Sequence, residues 1–138
     1  MGLFNVFNIS GSAMFAQTVR LNTTASNLAN ADSMSGDKEK VYRARYPVFE
    51  AELSTSMHSQ NGFSGVKVSE IIESKTALKK EYLPGHELAD KDGFVYKPNV
   101  NVVEQMADMI SASRSYQMNV QVAEAAKSML QQTLKIGK

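Results

Sequence analysis

The two histidines are the side chains best suited to metal binding or proton transfer. His58 lies in the polar stretch 54–64, and His86 follows the turn dipeptide Pro84-Gly85. Neither has a second His or a patterned carboxylate at the spacing of metal ligands, and the chain contains no Cys. We therefore predict surface histidines, with no catalytic residue and no metal site.

Two other motifs match known sites only in part. Asp90-Lys91-Asp92-Gly93 resembles a piece of a calcium loop, but Leu88 and Asn99 stand where that loop needs Asp and Glu. A hairpin turn explains this motif better. Gly62-Phe63-Ser64-Gly65 resembles a nucleophile elbow, but Val66 stands where the last Gly belongs. No glycine-rich phosphate loop is present, so we expect no enzyme, no cofactor and no small-molecule substrate.

Composition narrows the class of protein further. The chain has 138 residues, about one domain, and is 43% hydrophobic and 21% charged. A net charge of +1 argues against nucleic acid or anionic lipid as the main partner. No apolar run approaches the roughly 18 residues that span a bilayer. The first Lys or Arg is Arg20, so the charged start of a cleaved secretory signal is missing and these signals alone predict a cytoplasmic protein.

The charges divide the chain into three segments. Residues 1–36 contain only Arg20 and Asp32, most of the charges fall in the middle, and residues 99–138 are again lightly charged. We predict an N-terminal helical arm over 1–36, a β-rich insertion over 37–98 and one long helix over 99–138. The fold class is α+β, with the terminal helices paired as a coiled-coil-like arm.

Both arms carry apolar residues at alternating spacings of four and three, as in a coiled-coil seam. In the N-terminal arm these positions are Met14, Thr18, Leu21, Ala25 and Leu28. In the C-terminal arm they are Val102, Met106, Met109, Ser113, Tyr116, Val120, Ala123, Lys127, Leu130 and Leu134, and only Ser113 and Lys127 break the apolar pattern. No Pro or Gly interrupts Asn99 to Ile136, which predicts a helix about 50 Å long.

The middle segment has the alternation and turn residues of strands. We predict strands over Tyr42–Leu53, around Val66–Ile71 and over Phe94–Tyr96, with Pro47 at an edge or kink. Asn61-Gly62 and Asp92-Gly93 are dipeptides that favour hairpin turns.

The N-terminal arm poses a separate question, because the stretch LNTTASNLANADS surrounds its seam with Thr, Ser and Asn. A solvated helix face usually carries Lys, Glu and Arg. Uncharged amides and hydroxyls can form hydrogen bonds in a packed site without the desolvation cost of a charge. We therefore interpret this face as one that packs against protein. A membrane-surface helix would need more Lys and Arg on its polar side.

The two arms resemble the terminal signatures of bacterial flagellar rod and hook axial proteins. The first signature is residues 2–33, with Ser-Asn-Leu-Ala-Asn-Ala at 26–31. The second is residues 109–138, centred on Ser113-Arg114-Ser115-Tyr116-Gln117 and Asn119. Residues 81–106 are similar to a short member of the proximal rod. The alternatives are another axial rod protein of similar length, or a helical adaptor or membrane-active protein.

The resemblance implies a structural subunit of the periplasmic proximal rod that transmits motor torque. Its partners would be copies of itself, other rod proteins and the flagellar type III export apparatus, which needs no cleaved signal. It also implies that the arms can be disordered before assembly. The expected assembly interface comprises seam and signature residues of both arms: Met14, Leu21, Ala25, Asn27, Leu28, Asn30, Met106, Met109, Arg114, Tyr116, Asn119, Val120, Leu130 and Leu134.

Overall fold

The computed structural model describes residues 3–52 and 65–136. Helix α1 spans Leu3–Ala29 and helix α2 spans Val102–Ile136. The four strands between them are β1 Arg45–Glu52, β2 Gly65–Glu73, β3 Lys79–Tyr82 and β4 Phe94–Lys97. The end of α1 lies beside the start of α2, since Asn27 bonds to Gln105, so the helices pack antiparallel. The predicted α+β fold, with paired terminal helices around a β-rich insertion, is confirmed.

The predicted apolar seam does not supply the most buried residues of the helix pair. The buried face of α2 contains Gln105, Ala112 and Ala126. Each of these residues directly precedes a predicted seam position in the sequence. Half of the ten seam positions on α2 are exposed instead: Val102, Met106, Tyr116, Lys127 and Leu134. On α1 the buried residues are likewise small or polar: Ser10, Ala16, Thr23, Thr24 and Asn27. Small side chains let the two backbones approach closely, and this contact takes precedence over the apolar periodicity.

Strands β1 and β2 form an antiparallel sheet that packs against α1. The register shifts between Val48 and Phe49, next to Pro47, which cannot donate a ladder hydrogen bond. At the start of β2, Ser12 Oγ of α1 accepts the Val66 N–H at 3.1 Å. Gly65 has a φ of 143°, and a Cβ there would lie 2.3 Å from Ser12 Oγ. Only glycine fits this close approach of strand and helix.

Strands β3 and β4 form a second antiparallel sheet. Sequence analysis missed β3 because Lys79-Lys80-Glu81-Tyr82 is mostly charged and is exposed at every position, so it shows no apolar alternation. The turn predicted at Asp92-Gly93 is present, since the Gly93 N–H donates to the Asp90 carbonyl at 3.0 Å, but it is one part of the 83–93 connection and not a two-residue hairpin loop. Ser35 forms an isolated antiparallel bridge with Tyr96 of β4, which joins the segment after α1 to this sheet.

Several predicted features lie outside the described residues. They are His58, the polar stretch 54–64 and the hairpin dipeptide Asn61-Gly62. The first three residues of the elbow-like motif, 62–64, lie outside as well, and Gly65 opens β2.

The Asp90 carboxylate organises the end of the β3–β4 connection. Its Oδ1 accepts the backbone N–H groups of Asp92 and Phe94 at 3.0 and 2.8 Å, and its Oδ2 accepts the Tyr96 hydroxyl at 3.1 Å. These hydrogen bonds hold the pKa of Asp90 below its ordinary value of 3.8, and the bond from the Phe94 N–H has the largest effect. The motif that resembled a calcium loop is therefore a carboxylate-stabilised turn.

This turn is expected to make stability depend on pH in acid. A lowered pKa in the folded state stabilises the fold above the unfolded pKa, and this contribution is lost as pH falls through the folded value. The wild type should lose stability below about pH 4 relative to Asp90→Asn, which keeps one acceptor but no charge. Urea unfolding of both proteins at pH 7 and in a series below pH 4 measures the difference. A difference that stays constant with pH would contradict this role of the carboxylate.

Candidate assembly interface

Asn27 is the centre of a buried polar cluster that joins α1, α2 and β1. Its side chain is fully buried, with an exposure of 0%. Asn27 Nδ2 donates to the Arg45 carbonyl and to Gln105 Oε1, both at 2.8 Å. Asn27 Oδ1 accepts the Arg45 N–H and the Tyr42 hydroxyl, also at 2.8 Å. The carboxamide thus pairs with both backbone groups of Arg45, as a neighbouring strand would.

Gln105 connects this cluster to α2. Its exposure is 1%, and its Nε2 is buried with no hydrogen-bond partner within the described part of the chain. The Tyr46 hydroxyl lies near Gln105. Burial raises the pKa of Tyr46, and the carboxylates of Glu104 and Asp108 raise it further, while the Gln105 side chain acts in the opposite direction. Tyr46 therefore stays neutral beside the cluster.

The remaining polar residues near the end of α1 also bond within the chain. Asn30 Nδ2 donates to the Ser26 carbonyl at 2.8 Å, and the Ser26 hydroxyl lies 3.2 Å from that of Tyr42. Further along the helix pair, Arg20 forms an ion pair with Asp108. At this end of α1, part of the uncharged face packs against the same subunit.

The outward face of α2 has a different character. Large side chains four residues apart form a ridge: Met106, Ile110, Arg114, Met118 and Val122. The apolar members are about half exposed, at 51% for Met106, 54% for Ile110 and 58% for Met118. The ridge residues Ile110, Arg114 and Met118 and the small residues Ala107, Ser111 and Ser115 together line an open groove of about 470 Å³. Ridges of this spacing pack into the grooves of other helices.

The predicted interface residues divide by exposure in the free subunit. The exposed ones are Ala25, Met106, Arg114, Tyr116 and Leu134. The half-buried ones are Met14, Leu21, Leu28, Asn30, Met109, Asn119, Val120 and Leu130. Asn27 has no surface left for a neighbouring subunit, because its carboxamide is used within the chain. The interface assignment remains a prediction for the residues with exposed surface.

Sequence analysis missed several exposed apolar residues of α2: Val103, Ile110, Met118, Val122 and Met129. They lie off the four-three seam, so a search for one coiled-coil stripe passes over them. The signal was the spacing of four from Met106 through Ile110, Arg114 and Met118 to Val122, which marks a ridge across the helix surface.

The described residues give little support for a metal site or a membrane-spanning helix. His86 is exposed, and its Nδ1 accepts the Leu88 N–H at 3.1 Å. Within residues 3–52 and 65–136, no group of His, Asp and Glu is arranged to hold a metal ion. Over the same residues, neither helix is both long and apolar enough to cross a membrane.

Both helices match models of flagellar proteins. A model described as "Flagella basal body rod protein" matches residues 7–34, which cover most of α1. A second, described as "Flagellar basal body rod FlgEFG protein C-terminal", matches residues 91–136, which contain β4 and α2.

Relatives match the chain along its whole length. Proteins named flagellar basal-body rod protein FlgC are 47% identical in Salmonella typhimurium strain LT2, 48% in Escherichia coli O157:H7 and 44% in Yersinia enterocolitica. Each alignment covers 99% of this chain and 99% of the relative.

The chain belongs to the family of flagellar basal-body rod proteins. Within that family, the full-length relatives are FlgC proteins. It is accordingly a structural subunit of the flagellar basal-body rod and not an enzyme. The family resemblance seen in the two terminal signatures is confirmed.

Proposed function

We propose that the chain is a subunit of the proximal, periplasmic part of the rod and assembles there through the outward faces of its terminal helices. Its neighbours are copies of itself and other rod proteins, and the assembled shaft transmits torque. It reaches the rod through the flagellar type III export apparatus. The arms 1–36 and 99–138 make the contacts between subunits, and the insertion 37–98 faces outward.

The observation that carries this proposal is the ridge and groove on α2. Half-exposed Ile110 and Met118 form one wall of a groove whose other wall is made of small residues, and half-exposed Met106 continues the ridge beyond it. A helix of the same kind could fill that groove with its own ridge. Burying these side chains would contribute about 25 cal/mol per Å² of apolar surface removed from water.

The charge distribution supports the outward position of the insertion. Lys91 and Asp92 are exposed on the β3–β4 connection, whereas α2 presents apolar side chains and Arg114 along its ridge. Charged side chains are depleted in the buried centres of protein interfaces and common on solvated surfaces. This contrast supports contacts through the helices.

Placing a charge on the ridge tests the proposal. We expect Ile110→Glu to abolish swimming and to remove the subunit from purified basal bodies, because taking a carboxylate out of water between subunits costs more than pairing with Arg114, one turn along the helix, returns. The side chain is exposed in the free subunit, so the folded protein should change in stability by no more than about 0.5 kcal/mol. Circular dichroism of the purified variant measures that stability.

Lys91→Glu is the matched control, because it puts the same residue on an exposed position of the insertion. It should swim and assemble as the wild type does. Normal recovery of Ile110→Glu in basal bodies would contradict assembly through this face. An equal defect in Lys91→Glu would contradict the outward position of the insertion.

A further inference from the structure

The methionines of α2 are unusually open for apolar side chains. Met106 is 51% exposed, and Met118 and Met129 are each 58% exposed. Met106 and Met118 belong to the ridge, at three turns from each other, with Ile110 between them. Met109, on the same helix, is half-buried. One helix therefore carries both accessible and shielded thioethers.

We propose that Met106 and Met118 are sites of oxidative modification in the unassembled subunit, and that their oxidation blocks assembly. The proposal rests on the function proposed above, because it takes the ridge to be a subunit contact. The reactant is a peroxide, of which hydrogen peroxide is the simplest.

The chemistry requires only an accessible thioether. A sulfur lone pair attacks one oxygen of hydrogen peroxide, an S–O bond forms and the O–O bond breaks. The departing hydroxide takes the proton of the transferred hydroxyl group and leaves as water. Sulfur is oxidised by two electrons and peroxide is reduced by two, which gives methionine sulfoxide.

The product would change the character of the ridge. Sulfoxide converts a flexible apolar side chain into a polar one and disrupts interfaces rich in methionine. A polar oxygen on the ridge would enter the contact without a prepared partner, and a buried polar group without a hydrogen bond is destabilising. In the assembled rod the same contact would shield both sulfurs from peroxide.

The first test uses the purified full chain and does not depend on assembly. After brief hydrogen peroxide treatment, mass spectrometry of peptides should find Met106 and Met118 oxidised at least about threefold faster than Met109. Equal rates at the three positions would overturn the assignment of selective sites, whatever the subunit does in the rod.

The second test measures assembly in cells that grow flagella during sublethal peroxide exposure. Recovery of the wild-type subunit in basal bodies should fall at least about fivefold, whereas Met106→Leu with Met118→Leu should assemble normally in peroxide. The double Gln variant imitates the polarity of sulfoxide and should fail without peroxide. Met34→Gln, exposed but away from the helix ridge, is its control.

The outcomes separate the two proposals. If the double Leu variant loses as much recovery in peroxide as the wild type, oxidation at these methionines is not the cause and the inference is overturned. If the double Gln variant assembles normally, a polar ridge does not block assembly, which also overturns it. The proposed function is tested separately and without peroxide. If Ile110→Glu assembles normally, the proposed function itself is contradicted.

Discussion

Replacing Asn27 with Asp is expected to destabilise the free subunit by roughly 3–5 kcal/mol, because it buries a negative charge and loses the two hydrogen bonds that Nδ2 donates, although the Arg45 N–H and the Tyr42 hydroxyl can still donate to the carboxylate. Asp has no Nδ2 donor, so a carboxylate oxygen would face the Arg45 carbonyl and Gln105 Oε1, which now accept hydrogen bonds. Domains of this size are stable by only about 5–15 kcal/mol. Urea unfolding of purified Asn27→Asp, followed by circular dichroism, measures the loss.

The neighbouring asparagines are the controls for this prediction. Asn22 is exposed and Asn30 is half-buried with one bond to the Ser26 carbonyl, so Asn22→Asp and Asn30→Asp should stay within about 1 kcal/mol of the wild type. If Asn27→Asp unfolded at the wild-type urea concentration while failing to enter basal bodies, Asn27 would act between subunits and not within one.

The second large effect is expected at Ala112, which has an exposure of 0% on the buried face of α2. Leu at this position adds three carbon atoms where the helices approach closely. Overpacking of this kind costs about 1–3 kcal/mol, since it forces side chains off their rotamers or moves the backbone. For a domain of this size, that lowers the melting temperature by several degrees, at about 3–6 °C per kcal/mol.

Ala125→Leu makes the same change at an exposed position of the same helix. Leu and Ala both favour helix, so this variant should melt within about 2 °C of the wild type. Thermal unfolding of both variants provides the comparison. Equal melting temperatures for Ala112→Leu and Ala125→Leu would mean that the helices have room between them at Ala112.

The helices were predictable because their signals are local. No Pro or Gly interrupts residues 99–136, and α2 spans Val102–Ile136. Val66, Val68 and Phe94 lie in observed strands for the same reason, since apolar and β-branched residues alternate there. Strand β3 lacks such alternation because it is solvent-exposed throughout, so pattern could not identify it.

The packing faces were not predictable from apolar periodicity. A stripe of Met, Leu and Val predicts a core when hydrophobic burial dominates. Here the tight contact is made by Ala112, Ala126 and hydrogen-bonded Gln105, and part of the apolar stripe is left outside. In the proposed rod, the larger exposed apolar residues of α2 would be buried by neighbouring subunits, and a single chain does not contain those contacts.

The role of Asn27 depends on residues distant in sequence. Its partners Arg45 and Gln105 are 18 and 78 residues away. The uncharged composition correctly indicated a packed face, but composition carries no information about which chain supplies the partner. Only the fold shows that, for Asn27, the partner is the backbone of β1 and a side chain of α2.

Cysteine accessibility in assembled rods tests assembly through the helices most directly, because the chain contains no native Cys. Ile110→Cys and Lys91→Cys each introduce one thiol, the first on the α2 ridge and the second on the insertion. We expect a soluble maleimide to label both free subunits rapidly. In purified basal bodies, labelling at position 110 should be at least about tenfold slower, while position 91 keeps its rate. Labelling of Ile110→Cys at the same rate in basal bodies and in the free subunit would contradict assembly through this face.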